Sequence, residues 1–158
     1  MRSGSPAGAL LNVDWLYYMR QGKGFGRGAS LAASVGNIGH VQLLNPAASG
    51  VTILLKNILV GAQAQQAPTL RTYDTALATL VGAGVNLSLG GAAGQGVIRT
   101  DVPAAGVGTL MYPFELPAFQ NLNPFGDWIA VLAQGKGILV QGGAANLLID
   151  CTFCWVEV

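Results

Sequence analysis

From Leu147 onward the chain alternates with a period of two. Leu147, Ile149, Cys151, Phe153 and Trp155 fall in one series, and Leu148, Asp150, Thr152, Cys154 and Val156 in the other. Successive side chains of a strand point to opposite faces, so this alternation predicts an extended strand over 146–158 with one continuous core stripe. The second series is mixed but still fairly apolar, as expected where an antiparallel sheet has one covered face and one partly covered face.

The same period recurs in shorter runs over 38–44, 51–60, 85–89, 107–114, 128–132 and 137–141. Turn signals separate them: Asn45-Pro46, Ser49-Gly50, Gly90-Gly91, Asn123-Pro124, Phe125-Gly126, Gln134-Gly135 and Gly142-Gly143. Several short strands at such spacing indicate an all-β sandwich or barrel. Gly142-Gly143 is placed to close a tight hairpin between the last two strands. Residues 73–80 read either as a short helical turn starting near Thr72 or Asp74, or as a loop and strand. No strand–helix–strand alternation is visible, which argues against a doubly wound fold.

Charge sharpens this reading. Only 9% of residues are charged, against about 25% in an ordinary soluble domain. Charged side chains normally cover a domain's surface. A lone subunit this poor in them would expose broad apolar patches, which mark contact sites. The chain is therefore expected to hide part of its exterior against copies of itself or a larger assembly. Its net charge of +1 provides no general attraction to nucleic acid or to an anionic membrane. Uncharged stretches exist over 75–98 and 29–55. The first contains Asn86, Ser88, Gln95 and many glycines, and the second Asn37, His40, Gln42, Asn45 and Pro46, so neither makes a membrane-spanning helix. Arg2 is followed by Ser-Gly-Ser-Pro rather than an apolar signal core, so the expectation is a protein made and used without export.

Residues 1–28 differ from the rest. An apolar stretch over 9–18 leads to Arg20 and then to Gly22-Lys23-Gly24-Phe25-Gly26-Arg27-Gly28. A dinucleotide loop would need a preceding strand, a following helix and an acidic residue some 20 positions on; the next carboxylate is Asp74. The segment is instead read as an extended N-terminal arm, with 29–158 as the packed body. Trp15, Tyr17, Tyr18, Arg20, Lys23 and Arg27 are the residues expected to dock it onto a partner.

Nothing local suggests catalysis. His40 is the only histidine, no Gly-x-Ser-x-Gly elbow is present, and on a strand His40 shares a face with Ile38 and Gln42. It is expected to be packed or hydrogen-bonded at a sheet surface. The carboxylates Asp14, Asp74, Asp101, Glu115, Asp127, Asp150 and Glu157 show no spacing that suggests shared acid–base work. Cys151 and Cys154 sit three apart on the last strand. That points them to opposite faces with Cα atoms roughly 10 Å apart, beyond the ~7 Å a disulfide tolerates, and predicts two free thiols. The expectation is a non-enzyme with no cofactor or metal. The segment Met111-Tyr112-Pro113-Phe114-Glu115-Leu116-Pro117-Ala118-Phe119 reads as a proline-marked edge strand and loop packed on the body; an exposed aromatic strip for a sugar or another chain is the other reading.

Two segments carry a family resemblance. Leu44-Asn45-Pro46-Ala47-Ala48-Ser49-Gly50-Val51 with Ile53-Leu54-Leu55 resembles an early strand–turn–strand element of small tailed-bacteriophage virion proteins. Gly135-Lys136-Gly137-Ile138-Leu139-Val140-Gln141, then Ala145-Asn146 and Phe153-x-Trp155-x-Glu157, resembles their closing hairpin. Such proteins are similar to jelly-roll cement or decoration proteins, commonly trimeric, that bind the outside of a capsid. The resemblance implies an antiparallel β-sandwich of jelly-roll type with about eight strands. It also implies a homotrimer and a partner in the major capsid protein or other virion proteins, in a virion assembled in the host cytoplasm. It implies no catalytic residue. The same jelly-roll serves neck, tail and fibre components. A trimeric receptor- or sugar-binding head, with Tyr112, Phe119 or Trp128 around a pocket, is therefore the alternative. A spore-surface or tumour-necrosis-factor-like trimer and a hydrolase follow it.

Overall fold

A computed structural model describes residues 15–88, 90–127 and 129–158. The chain forms two antiparallel sheets. Its strands are β1 (Gly24–Ala32), β2 (His40–Leu44), β3 (Ile53–Ala62), β4 (Thr69–Thr72), β5 (Thr79–Ala83) and β6 (Val85–Asn86). They continue with β7 (Val97–Asp101), β8 (Thr109–Pro113), β9 (Gln120–Leu122), β10 (Ala130–Leu132), β11 (Gly137–Gln141) and β12 (Leu148–Glu157). The first sheet runs β10-β3-β12-β1-β6, with β9 also pairing with β3; the second runs β5-β7-β2-β11-β4-β8.

β12 lies at the centre of the first sheet, between β3 and β1. Of its predicted stripe, Leu147 precedes the strand and is half-buried, while Ile149, Cys151, Phe153 and Trp155 are each at most 2% exposed. They meet Ile53, Leu55, Ile58 and Val60 of β3, and Val41, Leu43, Ile138 and Val140 of the second sheet. Phe25 of β1 stacks on Trp155, ring centroids 6.2 Å apart. Room for the indole comes from Gly84 and Gly96, where a Cβ would run into its ring. The Trp155 Nε1–H donates to Glu157 Oε1 (3.0 Å), and the same carboxylate accepts the N–H groups of Gln95 and Gly96 (both 2.8 Å). A buried carboxylate with three donors is satisfied rather than stranded.

The outer face of the second sheet is also buried. Val41 and Leu43 point into the core, so His40, Gln42 and Leu44 point outward, yet His40, Gln42 and the outward Leu139 of β11 are 0% exposed. The chain covers them with its own loops. The Gln42 amide donates to the carbonyls of Tyr73 (2.7 Å) and Thr75 (3.0 Å) and accepts the Leu77 N–H (3.0 Å), holding Leu77 over the sheet. Arg71 donates to the carbonyls of Val107 and Gly108 and ties down the β7–β8 connection.

Two expectations need correction. β11 and β12 do not form a hairpin through Gly142-Gly143, because they belong to opposite sheets. Gln66 fixes the crossing, donating to the Leu148 carbonyl and accepting the Gly143 N–H. Of the two readings of residues 73–80, the loop and strand is the one formed: a loop leads into β5. The division at residue 28 falls inside β1, which runs from Gly24, pairs along its whole length with β12, and pairs at Phe25 and Gly26 with β6. Its glycines at 24, 26 and 28 occupy one face and resemble a linker. The alternate positions Phe25, Arg27, Ala29 and Leu31 point to the core side, where Phe25, Ala29 and Leu31 pack against the core.

Candidate functional site

The six residues expected to dock an arm separate into different roles. A short helix over 15–20 precedes β1. Trp15 is half-buried, with the Lys56 ammonium 5.3 Å from its ring centroid. Lys56 in turn pairs with Asp127 at 3.0 Å. Tyr18 is half-buried and meets Tyr17 edge-on at 5.6 Å. Tyr17, Arg20 and Lys23 are exposed. Arg27 is not available to a partner: its guanidinium donates to the carbonyls of Ala83 (2.9 Å) and Val81 (3.0 Å), fastening β5 to β1. Residues 1–14 of the expected arm lie outside the described residues.

The more distinctive surface lies elsewhere, along the flank where the two sheets end in β8, β9 and β10. Among the described residues β8 pairs only with β4, leaving its other edge unpaired. Every residue of β8 is exposed, including Leu110 (51%), Met111 (46%) and Tyr112 (53%). Such an edge ordinarily carries charge to discourage association; β8 carries none. Beside it is an open hollow of about 450 Å³ lined by Leu70, Met111, Tyr112, Pro124, Phe125 and Ile129. Its floor is rigid. Phe125 meets Tyr112 edge-on at 5.8 Å and Phe114 at 5.0 Å. Among the described residues no charged side chain lines it.

Phe119, on the same side of the sandwich, is 85% exposed and has φ of +57°. The left-handed region costs a residue with a Cβ about 1–2 kcal/mol. A hydrogen bond from its N–H to the Ala62 carbonyl (2.8 Å) holds the turn. The ring itself recovers nothing in water. Exposed Phe119 and Tyr112 fit the alternative reading of segment 111–119, whereas its preferred reading, packed on the body, holds for buried Phe114 and Leu116 but not for 111–113; Trp128 lies outside the described residues. Phe125 and Ile129 were missed; Asn123-Pro124 and Phe125-Gly126 read only as turns.

The ionisable groups offer little chemistry. His40 Nδ1–H donates to the Ile38 carbonyl (2.9 Å), and burial pushes its imidazole below the ordinary histidine value. Its Nε2 and the Gln141 Oε1 on the neighbouring strand lack hydrogen-bond partners as drawn; turning the Gln141 amide would let its NH₂ donate to Nε2. Cys151 and Cys154 are free thiols, and burial raises both, Cys151 strongly. Among the described residues no three His, Cys, Asp or Glu side chains gather as metal ligands, and no helix is long and apolar enough to cross a membrane. A smaller concavity of about 250 Å³ on the outer face of the first sheet is lined by Leu59, Gly61, Asn121, Asp150 and Thr152; Asp150 is its one ionisable group.

The chain matches no known family model, no curated protein and no solved structure.

Proposed function

We propose that this protein is a non-enzymatic structural subunit of a tailed-phage virion, a cement or decoration protein that binds the capsid as a homotrimer. The observation that carries this reading is the uncharged, apolar flank of β8 and its neighbours on a chain with very few ionised groups. An isolated subunit leaves that flank in water, and each 100 Å² of apolar surface removed from water contributes roughly 2.5 kcal/mol before association costs.

The strand order supports a jelly-roll. β1-β12-β3-β10 faces β2-β11-β4-β8, so the first strand lies beside the last and the second beside the eleventh, with β5, β6 and β7 as an excursion between β4 and β8. Two interlocked Greek keys give this nesting of early and late strands. In this reading the protein works mechanically: trimers bridge adjacent capsid subunits and raise the free energy needed to part them. Tyr17, Arg20 and Lys23 are the exposed members of the N-terminal set and the ones that meet the shell.

Electron cryomicroscopy of purified particles tests the assignment by showing where the chain sits and in what symmetry. Density for the chain in threefold clusters on the head is the expected result. Its absence from the particle, or its presence only at a tail tip, would contradict the proposal. Replacing Tyr17, Arg20 and Lys23 together with alanine should weaken particle binding by about 2 kcal/mol, roughly 30-fold, with folding unchanged.

A further inference from the structure

We propose that the β8 flank is the seam between subunits, and that the occupant of its hollow is Phe119 of a second copy of this chain. The inference rests on the trimer reading and gives it a location. At about 200 Å² for a fully exposed large side chain, the exposures of Leu110, Met111, Tyr112 and Phe119 amount to roughly 450–500 Å² of apolar surface. In this contact one subunit supplies Phe119 and the other Leu110, Met111 and Tyr112, so the four count together against the roughly 1,600 Å² a specific interface buries in total, and supply somewhat under a third of it before any backbone or polar rim is counted.

Knob and hole are both present on the one chain. The hole is the uncharged hollow of about 450 Å³, walled by Met111, Tyr112, Pro124, Phe125 and Ile129. It is roomy enough for an aromatic ring and offers edges and faces of Tyr112 and Phe125 for offset contact. The knob is Phe119, held outward by an unfavourable backbone conformation and by its hydrogen bond to Ala62. A strained, projecting aromatic is a feature that a free monomer gains nothing from and an assembly uses. Sugar recognition is the weaker fit, because a sugar needs several converging polar groups and the lining side chains offer only the Tyr112 hydroxyl. Pro113 and the register shift opposite Leu70/Arg71 interrupt β8 as a template for main-chain pairing, so side chains rather than a shared sheet carry the contact. A contact from Phe119 to a different patch on its neighbour is heterologous, and it closes into a ring when the rotation permits.

The test uses the full chain at micromolar concentration, in wild-type form and as Phe119→Gly and Tyr112→Arg, by sedimentation velocity with circular dichroism as the control for folding. Glycine at 119 removes the ring and relieves the backbone, so that variant keeps its fold. The expected result is a multimeric wild type and folded, single-subunit variants, with the dissociation constant raised at least 100-fold. Variants that assemble like wild type overturn the seam and leave the trimer standing. A wild type that is itself a single subunit overturns both. As an independent measurement, a benzophenone-bearing phenylalanine at position 119 should cross-link to residues 109–129 of another copy. Adducts confined to other segments, or none, would contradict the proposed occupant.

Discussion

The centre and the edge of the second sheet treat outward-facing side chains in opposite ways. At the centre, His40, Gln42 and Leu139 point away from the core and are still fully buried, because loops pinned by Gln42 and Arg71 fold over them. At the edge, Leu110, Met111 and Tyr112 have no such cover. The chain thus has loops enough to shield an apolar surface and uses them where the surface must be closed within one subunit. Under the proposed trimer, the bare edge is the surface that a second copy would close. The opposite edges expose Leu80 and Val85.

Substitutions can break this contrast from either side. The largest effect belongs to the shared core: Trp155→Ala removes the indole packed by Phe25 and hydrogen-bonded to Glu157, and should cost about 3–5 kcal/mol of folding stability in denaturant titration. At the covered centre, Gln42→Ala strands the Leu77 N–H and two carbonyls; a loss of about 2–3 kcal/mol is expected, with faster amide exchange over 73–78. At the edge, Phe119→Gly should do the reverse. Measured in dilute solution where subunits are apart, it should stabilise the fold by about 1 kcal/mol through relief of the left-handed backbone. An equal loss of stability at Phe119 and at Gln42 would erase the distinction between the two regions.

The smallest expected effect is one of pH. The folded His40 ring binds its proton less tightly than the unfolded ring, whose value is near 6.5. Its contribution to stability is therefore whole above pH 6.5 and is lost as pH falls through the lower folded value. Thermal unfolding across pH 5 to 7 should show this slope, and His40→Gln should flatten it. The groups facing the ring are Gln141, Asp101 and Arg71. Asp101 favours the charged ring and Arg71 opposes it, with burial outweighing both.

Much of the framework was legible in the sequence where alternation was strong. The β12 stripe from Ile149 onward and the bounds of β11 match the reading, and Ser49-Gly50 and Gln134-Gly135 are turns with glycine φ near +73° and +74°. The free thiols follow from the same alternation. β7 was hidden because its inward positions are Ile98 and Thr100 with Arg99 and Asp101 on the other face, leaving a weak apolar signal. β1 was hidden by its glycines. The site was half legible. Aromatics at 112 and 119 stood out by type, whereas the hollow depends on Phe125 and Ile129 being carried beside Tyr112 by loop geometry, which no local pattern encodes. Arg27 shows the converse: charge suggested an arm residue, and two carbonyls of β5 claimed it.

Sedimentation velocity of the purified chain at micromolar concentration tests the central claim most directly. Three subunits moving as one species is the predicted result. A stable, soluble single subunit at every concentration would mean that the exposed flank needs no partner, and the account of this molecule as an assembling unit would be wrong.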